Sequence, residues 1–312
     1  MQTVEQTARR RKSNAEKFLV LMLGGGVILA ALSFLFLRFG AESLSLSDIL
    51  NAFFAFDEGE FKHVIARDIR LPRLLADIIV GVSLAVAGAV MQGNTKNPMA
   101  DSGIMGISAG SVFAIVLMMA FLPDASRLER IGYSCLGALA ATLLIYGVAL
   151  LGHTGRSADR MVLSGMAIST LFSSVSSAVI LKSGNVNAMM KYTAGSSANT
   201  IWLDVGLSAP FFAAGLIAAL VMARSLTIMG LGDEVSRELG ANTRLIRLVG
   251  TIVVLVLSAI AVIIIGPVGY VGLMVPHLVN LLYKGNLRMQ MLLTALLGAP
   301  FFLVLLRRSL KE

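Results

Sequence analysis

The sequence predicts an all-α integral membrane protein, a multi-helix bundle, and three observations carry that prediction. Of the 312 residues, 56% are hydrophobic and only 14% charged, where a soluble globular domain carries roughly 25% charged residues. Apolar runs close to the roughly 20 residues that cross a hydrocarbon core of about 30 Å recur along the whole chain. Within those runs ionisable side chains, which are costly inside a bilayer, are almost absent.

Nine spans are expected by that measure, at about 18–38, 73–92, 104–122, 131–151, 161–181, 205–223, 248–265, 267–283 and 289–306. The first follows the basic segment ARRRKSNAEK, which has the look of a signal-peptide start. Its apolar run is too long for a signal peptide and carries no A-x-A cleavage site, so residues 1–17 read as a cytoplasmic tail ahead of an uncleaved helix. The second and third spans are joined by GNTKNPMADSG, a Pro/Asp/Gly-punctuated turn containing Asn97, Pro98, Asp101 and Gly103. Gly266, Pro267, Gly269 and Gly272 mark a broken entry into the eighth span. The single cysteine, Cys135, lies in an apolar run and excludes an internal disulfide.

Lys and Arg set the orientation. With the N-terminus inside, the segments on the cytoplasmic side carry 14 basic residues and the longer outside segments 9. The sequence pI near 9.9 reflects this bias and contact with anionic lipid; no basic stripe with interleaved aromatics points to nucleic acid. An odd number of spans nevertheless puts Arg307, Arg308 and Lys311 outside, against the same rule.

What the spans lack narrows the function. Asp77 is the one acid well inside a span, four residues after Arg73, and a local ion pair at helical spacing accounts for it. No charge relay lies near the midplane, as a proton- or sodium-coupled carrier would need. No G-x-x-x-x-G-K-[ST] loop is present, so the chain does not hydrolyse nucleotide itself. His63, His153 and His277 are scattered, and neither a metal centre nor a catalytic set emerges. The 16 methionines read as adaptable apolar filler. Gly, Ala and Ser are dense in several spans, as close helix packing in lipid requires. Ser164, Ser169, Thr170, Ser173, Ser174, Ser176 and Ser177 are denser than packing demands, and Ser169, Thr170, Ser173, Ser174 and Ser177 are candidates to line a polar pathway.

Between two long apolar runs lies LGDEVSRELGAN, residues 231–242. Leu231, Val235 and Leu239 recur every four residues as one apolar stripe. Asp233 and Glu234 fill a first turn, where the helix dipole favours anions. Arg237 and Glu238 complete the polar face, with Gly230 or Gly232 bounding the helix at its start and Gly240 where a C-terminal glycine cap belongs. A helix lying on lipid would carry a basic polar face; this acid-leaning one suits a cleft in another protein.

The same segment resembles the coupling segment of permease subunits in type II ABC importers, which take up iron–siderophore complexes, haem and cobalamin. RLPRLLADIIVGVSLAVAGAVMQGNTKNPMADSGIMGISAG (70–110), GPVGYVGLMVPHLVNLL (266–282) and TALLGAPFFLVLLRR (294–308) are similar to further blocks of that family. The resemblance implies one transmembrane permease domain over 1–312, acting as a homodimer in the bacterial inner membrane, with 231–241 as the cytoplasmic coupling helix. It also implies two partner ATPase subunits, which would hold ATP and Mg, and an extracytoplasmic binding protein; this chain would bind no cofactor. Arg70 and Arg73 match family arginines that pair with acids of the binding protein. The resemblance departs in one place. Family members have ten spans, but NLRMQMLLTALLGAPFF leaves no room for the usual penultimate helix. A secondary transporter or channel without a partner ATPase is the alternative reading.

Overall fold

A computed structural model describes residues 2–40, 42–103, 106–150, 158–183 and 186–306, and among them all regular structure is helical. The chain opens with α1 (Gln2–Arg38), α2 (Leu46–Phe54) and α3 (Phe61–Val64). A π-helical turn, Ile65–Arg70, then leads without a break into α4 (Leu71–Thr95). Next come α5 (Ile107–Phe121), α6 (Arg127–Leu150), α7 (Ala158–Lys182), α8 (Val186–Ala194) and α9 (Trp202–Met229). Last are α10 (Asp233–Glu238), α11 (Thr243–Ile265), α12 (Val271–Leu282) and α13 (Leu287–Leu306).

Seven of these runs are long and apolar enough to cross a membrane. The other two expected spans are present as α5 and α12, of only 15 and 12 residues. Both start late because the chain before each is irregular and partly buried. Asp101 and Ser102 are 3% and 1% exposed, and Gly266 is buried where the backbone turns at a φ of 95°. The 93–103 segment is therefore not the surface turn that its composition predicts; its second half dips into the bundle. The second span is also longer than expected, since the helix continues outward from Leu71 to Phe61.

At the centre stands α4, buried along most of its length among α9, α11, α12 and α13. Three glycine crossings let backbones touch. A Cβ on Gly81 would meet the Gly298 carbonyl oxygen at 2.5 Å, one on Gly88 the Gly272 oxygen at 1.9 Å, and one on Gly110 the Gly137 oxygen at 2.4 Å. Lipid supplies no hydrophobic drive between helices, so close packing of this kind has to hold the bundle together.

Successive spanning helices run in opposite directions between two faces. One face carries α10, the end of α4 and the start of α11; the other carries α2, α3, α8 and the starts of α4 and α9. At that second face the Trp202 indole donates to the Arg67 carbonyl at 3.1 Å, and Arg127 pairs with Asp204. A turn at Tyr283–Asn286, where Gln290 Nε2 donates to the Tyr283 carbonyl at 3.0 Å, sends α13 straight back along α4. The penultimate helix expected from the family is thus absent between α12 and α13, and α13 ends on the face opposite α10. Arg307, Arg308 and Lys311 lie outside the described residues, as does His153.

Gly88→Val places a side chain inside the Gly272 backbone, which no rotamer change relieves. Such overpacking costs about 1–3 kcal/mol or more, so the variant is expected to unfold at least several degrees earlier in detergent. Gly24→Ala, where nothing lies within 4 Å, should match the parent in the same thermal scan.

Candidate functional site

Two features are the candidate functional elements, a short helix at one face and a hydroxyl-lined cavity within the bundle. The short helix is α10. Gly232 precedes it at a φ of 115° and Gly240 follows it at 78°, conformations that glycine adopts without strain. Behind Gly240 the chain closes through Ala241 N to the Ser236 carbonyl at 2.9 Å, and Asn242 Oδ1 accepts from Leu245 N at 3.1 Å to start α11.

Leu231, Val235 and Leu239 are 60%, 43% and 61% exposed, so the apolar stripe faces outward rather than into the bundle. Glu234, Arg237 and Glu238 are exposed beside it. The Asp233 side chain lies outside the described residues. What orients the helix is Ser236, which is fully buried; its hydroxyl donates to the Ile228 carbonyl at 2.9 Å and lies on the Gly232 carbonyl. Sequence reasoning passed over Ser236, because only its position opposite the apolar stripe marks it.

The cavity, of about 470 Å³, is bounded by α5, α7, α8 and the 266–270 segment. Ser169, Ser173 and Ser177 line it, joined by Ser176, Ser108, Thr193 and Asp101. The Ser108, Ser169 and Ser176 hydroxyls are buried without a protein partner. Thr170 and Ser174, expected on the same lining, are not part of it: their hydroxyls bond back to the Met166 and Thr170 carbonyls at 2.9 and 2.8 Å. Helical geometry explains the split, because side chains at i, i+4, i+7 and i+8 share a face while i+1 and i+5 turn away.

Asp101 ties the cavity to the start of α12. Its Oδ2 accepts from Gly103 N at 3.3 Å, and a Cβ on Gly272 would meet its Oδ1 at 2.2 Å. One carboxylate therefore sits between the chain leading into α5 and the first turn of α12, where unpaired N–H groups favour negative charge.

At the opposite face the two arginines part company. Arg73 is half-buried. Arg70 is 8% exposed, and its guanidinium donates to the Leu37 carbonyl at 2.6 Å and to that of Glu42. Arg70 thus braces the end of α1 from within, and does not present a free fork to an incoming protein. The ion pair expected between Arg73 and Asp77 is not closed: Asp77 is fully buried with its carboxyl beside the Ser197 hydroxyl, and the Arg73 guanidinium acts on it only through its field. Among the described residues no cluster of His, Cys, Asp and Glu suited to a metal ion is found.

A family model described as the FecCD transport family matches residues 28–308. The chain belongs to that family. This FecCD permease is 36% identical over 298 residues to the Fe(3+)-citrate import system permease protein YfmD of Bacillus subtilis (strain 168), covering 94% of this chain and 86% of that protein. It is 33% identical over 280 residues to the iron(3+)-hydroxamate import system permease protein FhuB of the same organism, covering 90% and 73%. A solved structure described as an inward-facing metal-chelate type ABC transporter superposes with a TM-score of 0.79 at 25% identity, covering 93% of this chain and 90% of that one.

If Ser236 clamps α10, Ser236→Ala should leave the fold and the outward stripe intact while freeing the segment. Hydrogen exchange at residues 231–241 is expected to accelerate about fivefold, the equivalent of one net hydrogen bond of about 1 kcal/mol. Unchanged protection there would mean that other contacts hold the helix.

Proposed function

We propose that this FecCD permease is the membrane-spanning subunit of an ATP-driven importer that carries a bulky metal chelate into the cytoplasm by alternating access. An iron–siderophore complex or haem is favoured as cargo over cobalamin. The observation that carries this reading is α10, an apolar stripe held open to solvent by a buried clamp on α9 and followed within a few residues by α11. Such a helix is a lever awaiting a partner, and a partner ATPase closing on nucleotide has the work to move it.

In this reading two copies of the chain form the transmembrane core, and an ATPase subunit seats each α10. The α10 face is then cytoplasmic, as the basic bias of the loops supports. Ser169, Ser173 and Ser177 belong to the hydrophilic route, with Thr170 and Ser174 outside it. An extracytoplasmic binding protein docks on the opposite face, with Arg73 the more accessible guanidinium and Arg70 shaping the surface from beneath. ATP and Mg belong to the partner ATPase. Cargo binding shifts the inward and outward states only as far as its affinities for them differ.

Leu239→Asp should lower co-purification with the ATPase of the same system at least tenfold, since losing a central apolar anchor costs about 2 kcal/mol or more. The permease itself should stay folded, because Leu239 is exposed. Undiminished association and uptake in this variant would remove α10 from the coupling route.

A secondary-transport reading has one observation in its favour, the fully buried Asp77. The two readings separate in proteoliposomes holding permease and ATPase. ATP-driven uptake by Asp77→Asn is expected to stay within about twofold of the parent, as for a buried isosteric change that keeps an acceptor oxygen for Ser197. Uptake driven by a pH gradient and abolished in Asp77→Asn would favour the carrier.

A further inference from the structure

The nine-residue α2 lies outside the spanning helices and shows three faces rather than two. At about 100° per residue, Ile49 and Ala52 point one way and are buried, at 6% and 0% exposure, against Leu37 of α1 and Ile65 and Ala66 of the π turn. Leu46, Leu50, Phe53 and Phe54 occupy the next arc of about 100° and are exposed, Phe54 at 87%. Ser47, Asp48 and Asn51 fill the remainder. The helix is made to stand where it does: Ser45 closes a capping box with Asp48, and Lys62 reaches Asp48 at 3.4 Å from the start of α3. The backbone N–H of Ser45 and then its hydroxyl hold the Asp48 carboxyl below its ordinary range.

The geometry points to α2 as an interfacial helix whose apolar arc rests in the outer-leaflet boundary of the bilayer, with lipid as its partner. Three observations choose lipid over protein. The exposed apolar arc adjoins the buried arc, so α2 continues a wall already formed by α1, whose apolar stretch is only 6% buried within the bundle. The polar arc lies on the far side, where headgroups and water would meet it, the order that a helix lying in the interface plane requires. Other bulky apolar groups, Phe39, Phe61 and Trp202, are exposed at the same face, as in the aromatic belts at membrane boundaries.

Trp202 is the only tryptophan, so fluorescence reads the placement directly. In a Trp202→Phe background, the full chain carrying Phe54→Trp or Asn51→Trp is placed in phosphatidylcholine/phosphatidylglycerol nanodiscs, with bromine near the carbonyl or the methyl end of the acyl chains. The Phe54→Trp emission should be blue-shifted and quenched about twofold or more by bromine near the carbonyl end, and less by bromine at the chain terminus, as a depth of about 5–10 Å demands. The Asn51→Trp emission should respond to aqueous acrylamide and not to bromolipid. Quenching of Phe54→Trp by acrylamide alone would overturn the proposal; shielding from both quenchers would assign the face to protein and overturn it equally. Should Trp202→Phe fail to fold, a nitroxide on Leu50→Cys in a Cys135→Ser background gives the same reading: greater access to dissolved oxygen than to a water-soluble nickel chelate is expected, and the reverse refutes the lipid contact.

Discussion

Inside a bilayer a helix can stop only where something else satisfies its backbone, and the contact between Gly88 and Gly272 shows how this bundle meets that demand. Two backbones touch there, with the Asp101 carboxylate lodged beside them. Because α12 is pinned to α4 at its first turn, the chain before it runs unwound from the end of α11 into the bundle. Irregular backbone is tolerated at membrane depth only where it is enclosed by protein or borders a wet cavity. The 470 Å³ cavity beside residues 267–270 supplies that border, and the short α5 and α12 are its consequence rather than a shortage of apolar residues.

The same economy ties the two ends of the molecule together. From α4 and its neighbours the bundle reaches the α10 face through α9 and α11, which α10 joins. Ser236 fastens α10 to the last turn of α9, and Asn242 begins α11 four residues after Glu238. A push on the outward stripe therefore falls on two long helices at once. Asn94 Nδ2 extends the path, donating to the Arg247 carbonyl of α11 at 3.0 Å from the end of α4. Residues linking these elements have little freedom, since a Cβ on Gly250 would meet the Asn94 amide at 2.7 Å.

Much of this was legible beforehand, and what escaped has physical reasons. All nine apolar runs became helices, and Leu231, Val235 and Leu239 were readable as a stripe because a four-residue period needs no tertiary knowledge. The turn of that stripe toward solvent follows from the burial of Ser236 on the opposite side of the helix, and serine is a common residue type in such sequences. Thr170 and Ser174 group with Ser169 and Ser173 by residue type because all carry hydroxyls; only the helical phase separates those facing the cavity from those turned away from it. Asp101 looks like a turn residue by type, and its burial follows from the distant segment that holds Gly272. Arg70 and Arg73 share one motif, yet one is absorbed by the end of α1, which motif spacing does not encode.

The π-helical turn at Ile65–Arg70 has a consequence for that last pair. A π turn closes over five residues where an α turn closes over four, and each added residue advances the phase by about 100°. Everything ahead of Leu71 is thereby rotated relative to the core-bound face of α4. The turn acts as a phase shifter: the buried side of α4 keeps its own register, while α3 and α2 are free to aim theirs at the bundle edge. Insertions or deletions of single residues in 65–70 would accordingly re-aim the whole outer rim and leave the central helix where it is.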